Sequence, residues 1–393
     1  MNKLRTFKDF TRIPTIFYSS IGMQPHQNNS VKSFLSNFLF YFGEINLNIC
    51  VVGEFIYLYF AIGSFSTFLE ATALAPCIGF CLVSDFKMIA IWFNKNLLLS
   101  MMKELTDIFP KTLELQNEFK VIKYEKTINI NMIPFAALYM ILIWTFNLMN
   151  LVTSTWKYLF MNMEFKPIQP YFIWYPFNEN SPISFPIIYL LQCHAGYIAA
   201  VGTLATDLLL CCIVIQLSMH FDYLSYKIET FEPTYSMDDM KILNGYIKHH
   251  TKCLRLAEQI NQMFGVSLFL NFFTSTIIIC LVGFQVTAGV GTTDLIKYCL
   301  FLISSLIQVF LLCYYGTVLI DASSNISNAT YNSNWVSTSL KYQKSLLLII
   351  QRSQKPAILD APIYHKISLD IFTTVVSLSY QFFTLLKTMY SEE

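Results

Sequence analysis

The chain has 393 residues, of which 54% are hydrophobic, 16% aromatic and only 13% charged, and its mean hydropathy is +0.48. That is too apolar for a soluble protein of this length and points to an integral membrane protein. A net charge of +1 supplies no basic field for nucleic acid, and no Lys/Arg-rich cluster with interleaved aromatics occurs, so nucleic acid is excluded as a partner.

The first stretch, MNKLRTFKDFTRIPTIFYSS, lacks the continuous apolar core followed by small residues that marks a signal peptide. Insertion is therefore expected to start from an internal span, with the N-terminus retained. Runs of about 20 apolar residues predict seven spans, near 36–60, 67–92, 130–153, 184–217, 264–288, 295–320 and 368–388. The fourth exceeds what a bilayer requires, so it should tilt or run on into water. No internal repeat and no Pro/Gly/Ser linker divides the chain, which predicts one all-α domain over 1–393.

Charges inside these spans are costly in lipid, so Glu44 and Glu54 in the first and Asp207 in the fourth should face protein or water. Asp85 and Lys87, near the cytosolic end of the second, should reach the interface. Nine of the ten cysteines fall within spans, with Cys253 in a cytosolic segment, which reads as buried thiol and not as a disulfide scaffold. His249 and His250 point about 100° apart on a helix and have no Cys or carboxylate at metal spacing, so no metal is expected. Neither a Gly-rich phosphate loop nor a Ser/His/Asp order is present, and no cofactor or enzymatic activity is expected.

Orientation follows from the basic residues. Of the 26 Lys and Arg, 22 fall on the side of the N-terminus and of the second-to-third, fourth-to-fifth and sixth-to-seventh connections, leaving Lys157, Lys166, Lys297 and Lys387 on the other. The N-terminus is expected inside and the C-terminus outside, the reverse of a G-protein-coupled receptor. The sequons at Asn28, Asn325 and Asn328 all fall on the expected cytosolic side, and the long outer loop 154–183 has none.

Two amphipathic stretches stand out near the end of the chain. Over 336–353, Val336, Leu340, Tyr342, Leu346, Leu347, Ile349 and Ile350 occupy one half of a helix and Lys341, Lys344 and Arg352 the other. This predicts either a packing surface or a helix lying on anionic lipid. In the last span, Thr373, Ser377, Tyr380, Gln381, Thr384, Lys387 and Thr388 fall within about 120° of one another, opposite Phe372, Val375, Leu378, Phe382, Leu385 and Met389. A polar stripe is costly against hydrocarbon. It therefore requires a water-filled space or a neighbouring helix of the same chain.

The C-terminal residues also resemble the corresponding region of insect odorant receptors. The resemblance is carried by Tyr331 and Trp335, by Arg352 with Lys355 and Pro356, by Ser368-Leu369 at the start of the last span, and by Ser379-Tyr380 followed by Leu385-Leu386-Lys387. Upstream, YPFNENSP (175–182), Asp207, the pair His249-His250 and CYYGTVL (313–319) occupy similar places. The likeness extends over nearly the whole chain and is weakest over 1–130. The connection between the fourth and fifth spans is much shorter than in the family's shared co-receptor, Orco, so the chain is similar to a tuning subunit.

That resemblance implies a ligand-gated, non-selective cation channel in the dendrites of olfactory sensory neurons, with tuning subunits and Orco forming a tetramer around one pore. It implies that the last span lines the pore through Thr373, Val376, Ser377, Tyr380, Phe383, Thr384 and Lys387, with Phe383 and Lys387 at the narrow outer level. It implies that the 336–353 helix and the inner extensions of spans four to six form a cytosolic anchor between subunits. It also implies a ligand site in the outer half of the bundle, for which the candidates are Phe68, Leu69, Thr72, Thr145, Phe146, Met149, Asn150, Cys193, His194, Tyr197 and Ala200. This mostly apolar set, without paired carboxylates or Arg forks, suits a small volatile organic molecule. A gustatory-type receptor would show a Thr-Tyr…Gln-Phe signature in the last span, whereas here Ser379-Tyr380-Gln381-Phe382 has different spacing. An intramembrane enzyme or a transporter is the remaining alternative, but no inverted repeat with Gly/Pro-broken spans is present.

Overall fold

A computed structural model describes residues 4–24, 32–61, 68–179, 181–234 and 237–391. These residues form helices α1 (Phe7–Phe10), α2 (Arg12–Ser20), α3 (Lys32–Ala61), α4 (Phe68–Phe93), α5 (Lys95–Ile108), α6 (Leu113–Glu118), α7 (Val121–Met161), α8 (Ser184–Glu229), α9 (Met237–Thr287), α10 (Thr292–Asn332), α11 (Leu340–Ser353) and α12 (Leu369–Ser391), with no strand among the described residues. Seven of them, α3, α4, α7, α8, α9, α10 and α12, are long and apolar enough to cross a membrane. They coincide with the seven expected spans, and the protein is a multi-pass membrane protein. The sequon at Asn28 lies outside the described residues.

Four helices outrun the bilayer. At 1.5 Å per residue the 51 residues of α9 reach about 75 Å, against a hydrocarbon core of about 30 Å. The surplus lies where α8 ends, α9 begins and α10 ends, and α5, α6 and α11 join it there. The amphipathic stretch expected over 336–353 becomes helical only at Leu340. Ser339 is its N-cap, its hydroxyl accepting from the Tyr342 backbone N–H at 3.3 Å. Tyr342, Leu346 and Ile349 are buried against the rest of the chain, while Leu340, Leu347 and Leu348 remain exposed.

The core is organised around α8, which touches α2, α3, α4, α7, α9 and α10. The N-terminal helices belong to this core: Tyr18 of α2 is fully buried and its hydroxyl donates to Thr206 Oγ1 of α8 at 2.9 Å.

Lys87 departs from the expectation that it reaches the cytosolic interface. It is 1% exposed, and its ammonium donates to both Asp207 carboxylate oxygens at 2.7 and 2.9 Å and to Asn271 Oδ1 at 3.0 Å. Gln308 Nε2 donates to Asp207 and Asn271 at 2.6 and 3.1 Å. The cause is the direction of the side chain: from α4 it points into α8, where Asp207 supplies the opposite charge that burial demands. One polar knot thus joins α4, α8, α9 and α10. Glu44 and Glu54 are buried against protein as expected, and Asn48 Nδ2 bridges the first span to Asp85 at 3.0 Å. All ten cysteines are buried or half-buried thiols.

Candidate functional site

At one end of the bundle α4, α8 and α10 begin and α7 finishes; the charge pattern predicts this end to be extracellular, and we term it the outer end. A cavity lies there between these four helices, at Cys77, Phe80 and Cys81 of α4, Leu142, Ile143 and Phe146 of α7, Gly196, Ala199 and Ala200 of α8, and Phe301 of α10. The spacing makes the wall: Cys77 and Cys81, Leu142 and Phe146, and Gly196 and Ala200 are each i,i+4 pairs that share a helix face. Tyr171, from the connection between α7 and α8, closes the remaining side.

Tyr171 enters because residue 196 is glycine. A Cβ there would stand 2.4 Å from the phenol oxygen. The hydroxyl donates to Asn147 Oδ1 at 3.0 Å, and the ring stacks on Phe146 with centroids 6.4 Å apart. Burial pushes this phenol well above its ordinary range, so it stays protonated and serves as a neutral donor. Phe301 meets Phe146 and Phe80 edge-on, each at 5.8 Å. The cavity volume is about 40 Å³, room for only a few waters. An organic ligand would have to part these rings to enter.

The sequence candidates divide. Phe146 and Ala200 line the cavity. The side chain of Phe68 lies outside the described residues. Thr72 accepts from Gln285 Nε2 at 2.7 Å, as does the Leu69 carbonyl, so both serve the α4–α9 contact. Thr145 turns its hydroxyl back to the Ile141 carbonyl, and Met149 is half-buried beyond the wall. Asn150 accepts from Lys297 Nζ at 2.6 Å, one helical turn outward from Phe146. The Cys193 carbonyl accepts from Asn147, His194 Nδ1 meets Asn46 of α3 at 3.2 Å, and the Tyr197 hydroxyl donates to Ser20 of α2 at 2.9 Å. Because α8 is surrounded, successive residues on it face different helices, and His194 and Tyr197 face away from the cavity. Extending Phe146 and Ala200 by one turn in sequence reaches Leu142 and Gly196; no periodicity points to Tyr171.

On α12 three sectors can be distinguished. Val375 and Ser379 are 1% exposed, with Ser379 Oγ donating to the Thr276 carbonyl at 3.1 Å and Phe372, Val376, Phe383 and Leu386 half-buried beside them. Leu378, Phe382, Leu385 and Met389 form an exposed apolar sector. Between the two lies the polar stripe. Thr373, Ser377, Tyr380, Gln381, Lys387 and Thr388 are exposed and Thr384 is half-buried, so among the described residues no helix of the same chain covers the stripe. The Thr373, Thr384 and Thr388 hydroxyls donate to carbonyls of their own helix at 2.7, 2.8 and 3.0 Å.

The profile of the 7tm odorant receptor family matches residues 64–380. The chain belongs to the odorant receptor family. It is 39% identical to Odorant receptor 67c of Drosophila melanogaster, covering 99% of this chain and 98% of that one, and 36% identical to Odorant receptor 85b of the same fly, covering all of both. Its fold is that of the insect olfactory receptor OR5 from Machilis hrabei, with a TM-score of 0.81 at 18% identity over 96% of this chain and 97% of that one. The structure of the same receptor in complex with eugenol superposes with a TM-score of 0.83 at 17% identity over 98% of each chain. These relatives are receptors and not enzymes.

Proposed function

We propose that this odorant receptor is the odorant-binding subunit of a ligand-gated, non-selective cation channel, assembled with Orco in a tetramer in the dendritic plasma membrane of olfactory sensory neurons. The N-terminus is cytosolic, the cavity between α4, α7, α8 and α10 takes a small volatile organic molecule, and α12 contributes one wall of the pore. The observation that carries this reading is the exposed polar stripe of α12. A helix cannot present Thr373, Ser377, Gln381 and Lys387 to lipid at low cost, and among the described residues no helix lies over them. A water-filled conduit between subunits meets both conditions, and hydroxyl oxygens suit weak, transient solvation of cations. Lys387 is reconciled with cation flow if its ammonium reaches the outer interface. Parting Phe146, Phe301 and Tyr171 couples ligand entry to the helices on which α12 rests, since α12 packs on α9 and α10.

Expression in oocytes with and without Orco, followed by recording from excised patches without nucleotides, tests the proposal. The expected result is odorant-evoked current only with Orco, persisting after excision. Loss of the current on excision, with the receptor still at the surface, would contradict direct gating.

A further inference from the structure

Lys297 is nine-tenths buried although it stands beside an apolar cavity. Its side chain is 7% exposed, and its ammonium donates to Asn150 Oδ1 at 2.6 Å and to the Asp294 carboxylate at 3.2 Å. Asp294 is itself half in solvent, with 48% of its side chain exposed. An ammonium has three protons, and among the described residues these two are its acceptors, so one proton remains. Lys297 and Asn150 each sit four residues outward from a ring of the cavity wall, Phe301 and Phe146, which meet edge-on. A cationic group therefore stands one helical turn outward from two contacting rings of a wall that is almost wholly apolar.

We propose that Lys297 is the specificity-determining polar contact of this cavity, selecting uncharged volatiles that carry a hydrogen-bond acceptor oxygen at one end of an apolar body. The inference rests on the odorant-binding reading of the cavity. When Phe146 and Phe301 part, the apolar body occupies the space they release and the acceptor oxygen takes the remaining proton of Lys297. A hydrogen bond to a buried charged donor adds selectivity that apolar contact does not. Protonated amines are disfavoured by like charge, and a carboxylate finds one cation already shared with Asp294 among apolar walls that offer it little else.

The test uses matched pairs in which a carbonyl oxygen is replaced by a methylene of similar shape, such as cyclohexanone with methylenecyclohexane and cyclopentanone with methylenecyclopentane, plus the corresponding amines. Half-activating concentrations are measured with Orco present. In the wild-type receptor the carbonyl member of each pair should act at roughly 10–150-fold lower concentration, as expected for one charge-assisted hydrogen bond, with the amine weakest. Lys297→Met should bring the two members of each pair to near parity by weakening the carbonyl response, while Lys297→Arg keeps most of the preference. Equal wild-type sensitivity within every pair would overturn the proposal without needing any variant to fold, as would a Lys297→Met receptor that retains the full preference. A wild-type chain that answers no member of any pair, while a direct Orco agonist still evokes current, would overturn it together with the odorant-binding reading beneath it.

Discussion

Two of the seven membrane helices live in opposite surroundings. Every residue in the most apolar 18-residue window of α8 is buried inside the chain, against 11% for α12. Both are apolar enough to span, so the capacity to cross a membrane does not distinguish them. What differs is where their polar groups go. On α8 the buried Asp207 carboxylate is neutralised by Lys87 from α4 and hydrogen-bonded by Gln308 from α10. On α12 Ser379 reaches the Thr276 carbonyl of α9, while most of the polar stripe lies exposed. A buried polar group closed by its own chain holds a fold together, whereas a polar stripe left open on a spanning helix calls for a surface that the single chain does not contain.

The most forceful way to break this contrast is to open the α8 knot. Asp207→Leu leaves the Lys87 ammonium buried without its counter-charge, which costs about 3–5 kcal/mol, and surface biotinylation should show the receptor retained inside the cell. Combining it with Lys87→Met removes both charges and should restore most surface expression. If Asp207→Leu alone reaches the surface at wild-type levels and melts at the same temperature, the knot does not hold the four helices together.

A smaller effect is expected at the cavity, where α8 meets α4, α7 and α10. Phe146→Ala should raise the half-activating concentration of effective odorants by about 5–150-fold, the equivalent of roughly 1–3 kcal/mol of lost contact. Gly196→Ala should act in the same direction, because its Cβ would lie 2.4 Å from the Tyr171 hydroxyl oxygen and displace that side chain. Tyr197→Ala removes a hydroxyl that faces Ser20 and should change odorant sensitivity less than either. Concentration–response curves with Orco, normalised to a direct Orco agonist, rank the three. An order led by Tyr197 would place the ligand on another face of α8.

The number and order of the membrane helices, though not the extensions of α7, α9 and α10 beyond their expected spans, were legible in the sequence, because hydropathy over a span is a local property. Individual pairings were not. Lys87 and Asp207 lie 120 positions apart, and nothing in the residues around either fixes where its side chain points. The same holds for Lys297 with Asn150, and for Tyr18, which reaches Thr206 from a short N-terminal helix with no span of its own. Two of the eleven ligand candidates, Phe146 and Ala200, lie on the wall. Periodicity identifies a face of a helix, but a helix packed on all sides, as α8 is, gives every face a different neighbour. The α12 stripe was legible for the opposite reason: its meaning lies in composition around one helix and needs no partner from elsewhere in the chain.

At the pore the expected effect is smallest in energy and most specific in kind. Lys387→Glu, expressed with Orco, should raise divalent permeability and shift the reversal potential toward that of calcium. The odorant concentration dependence should hardly change, since the cavity is built by other helices. Raising the salt concentration should shrink the shift by screening. An unchanged reversal potential in a responsive channel would remove Lys387 from the ion path.

The most direct test of the central claim, that α12 turns its polar stripe to water inside an assembled channel, is cysteine accessibility along that helix. Single cysteines at Ser377, Gln381 and Thr388 on the stripe, and at Leu378, Phe382 and Leu385 on the apolar sector, would be treated with a charged, water-soluble thiol reagent during odorant activation with Orco. The ten native thiols are buried or half-buried, and the unsubstituted receptor sets the background. The account predicts that stripe positions react and that current through the channel changes as they do, while the apolar positions remain unreactive. Equal protection of stripe and apolar positions in a conducting channel would contradict it.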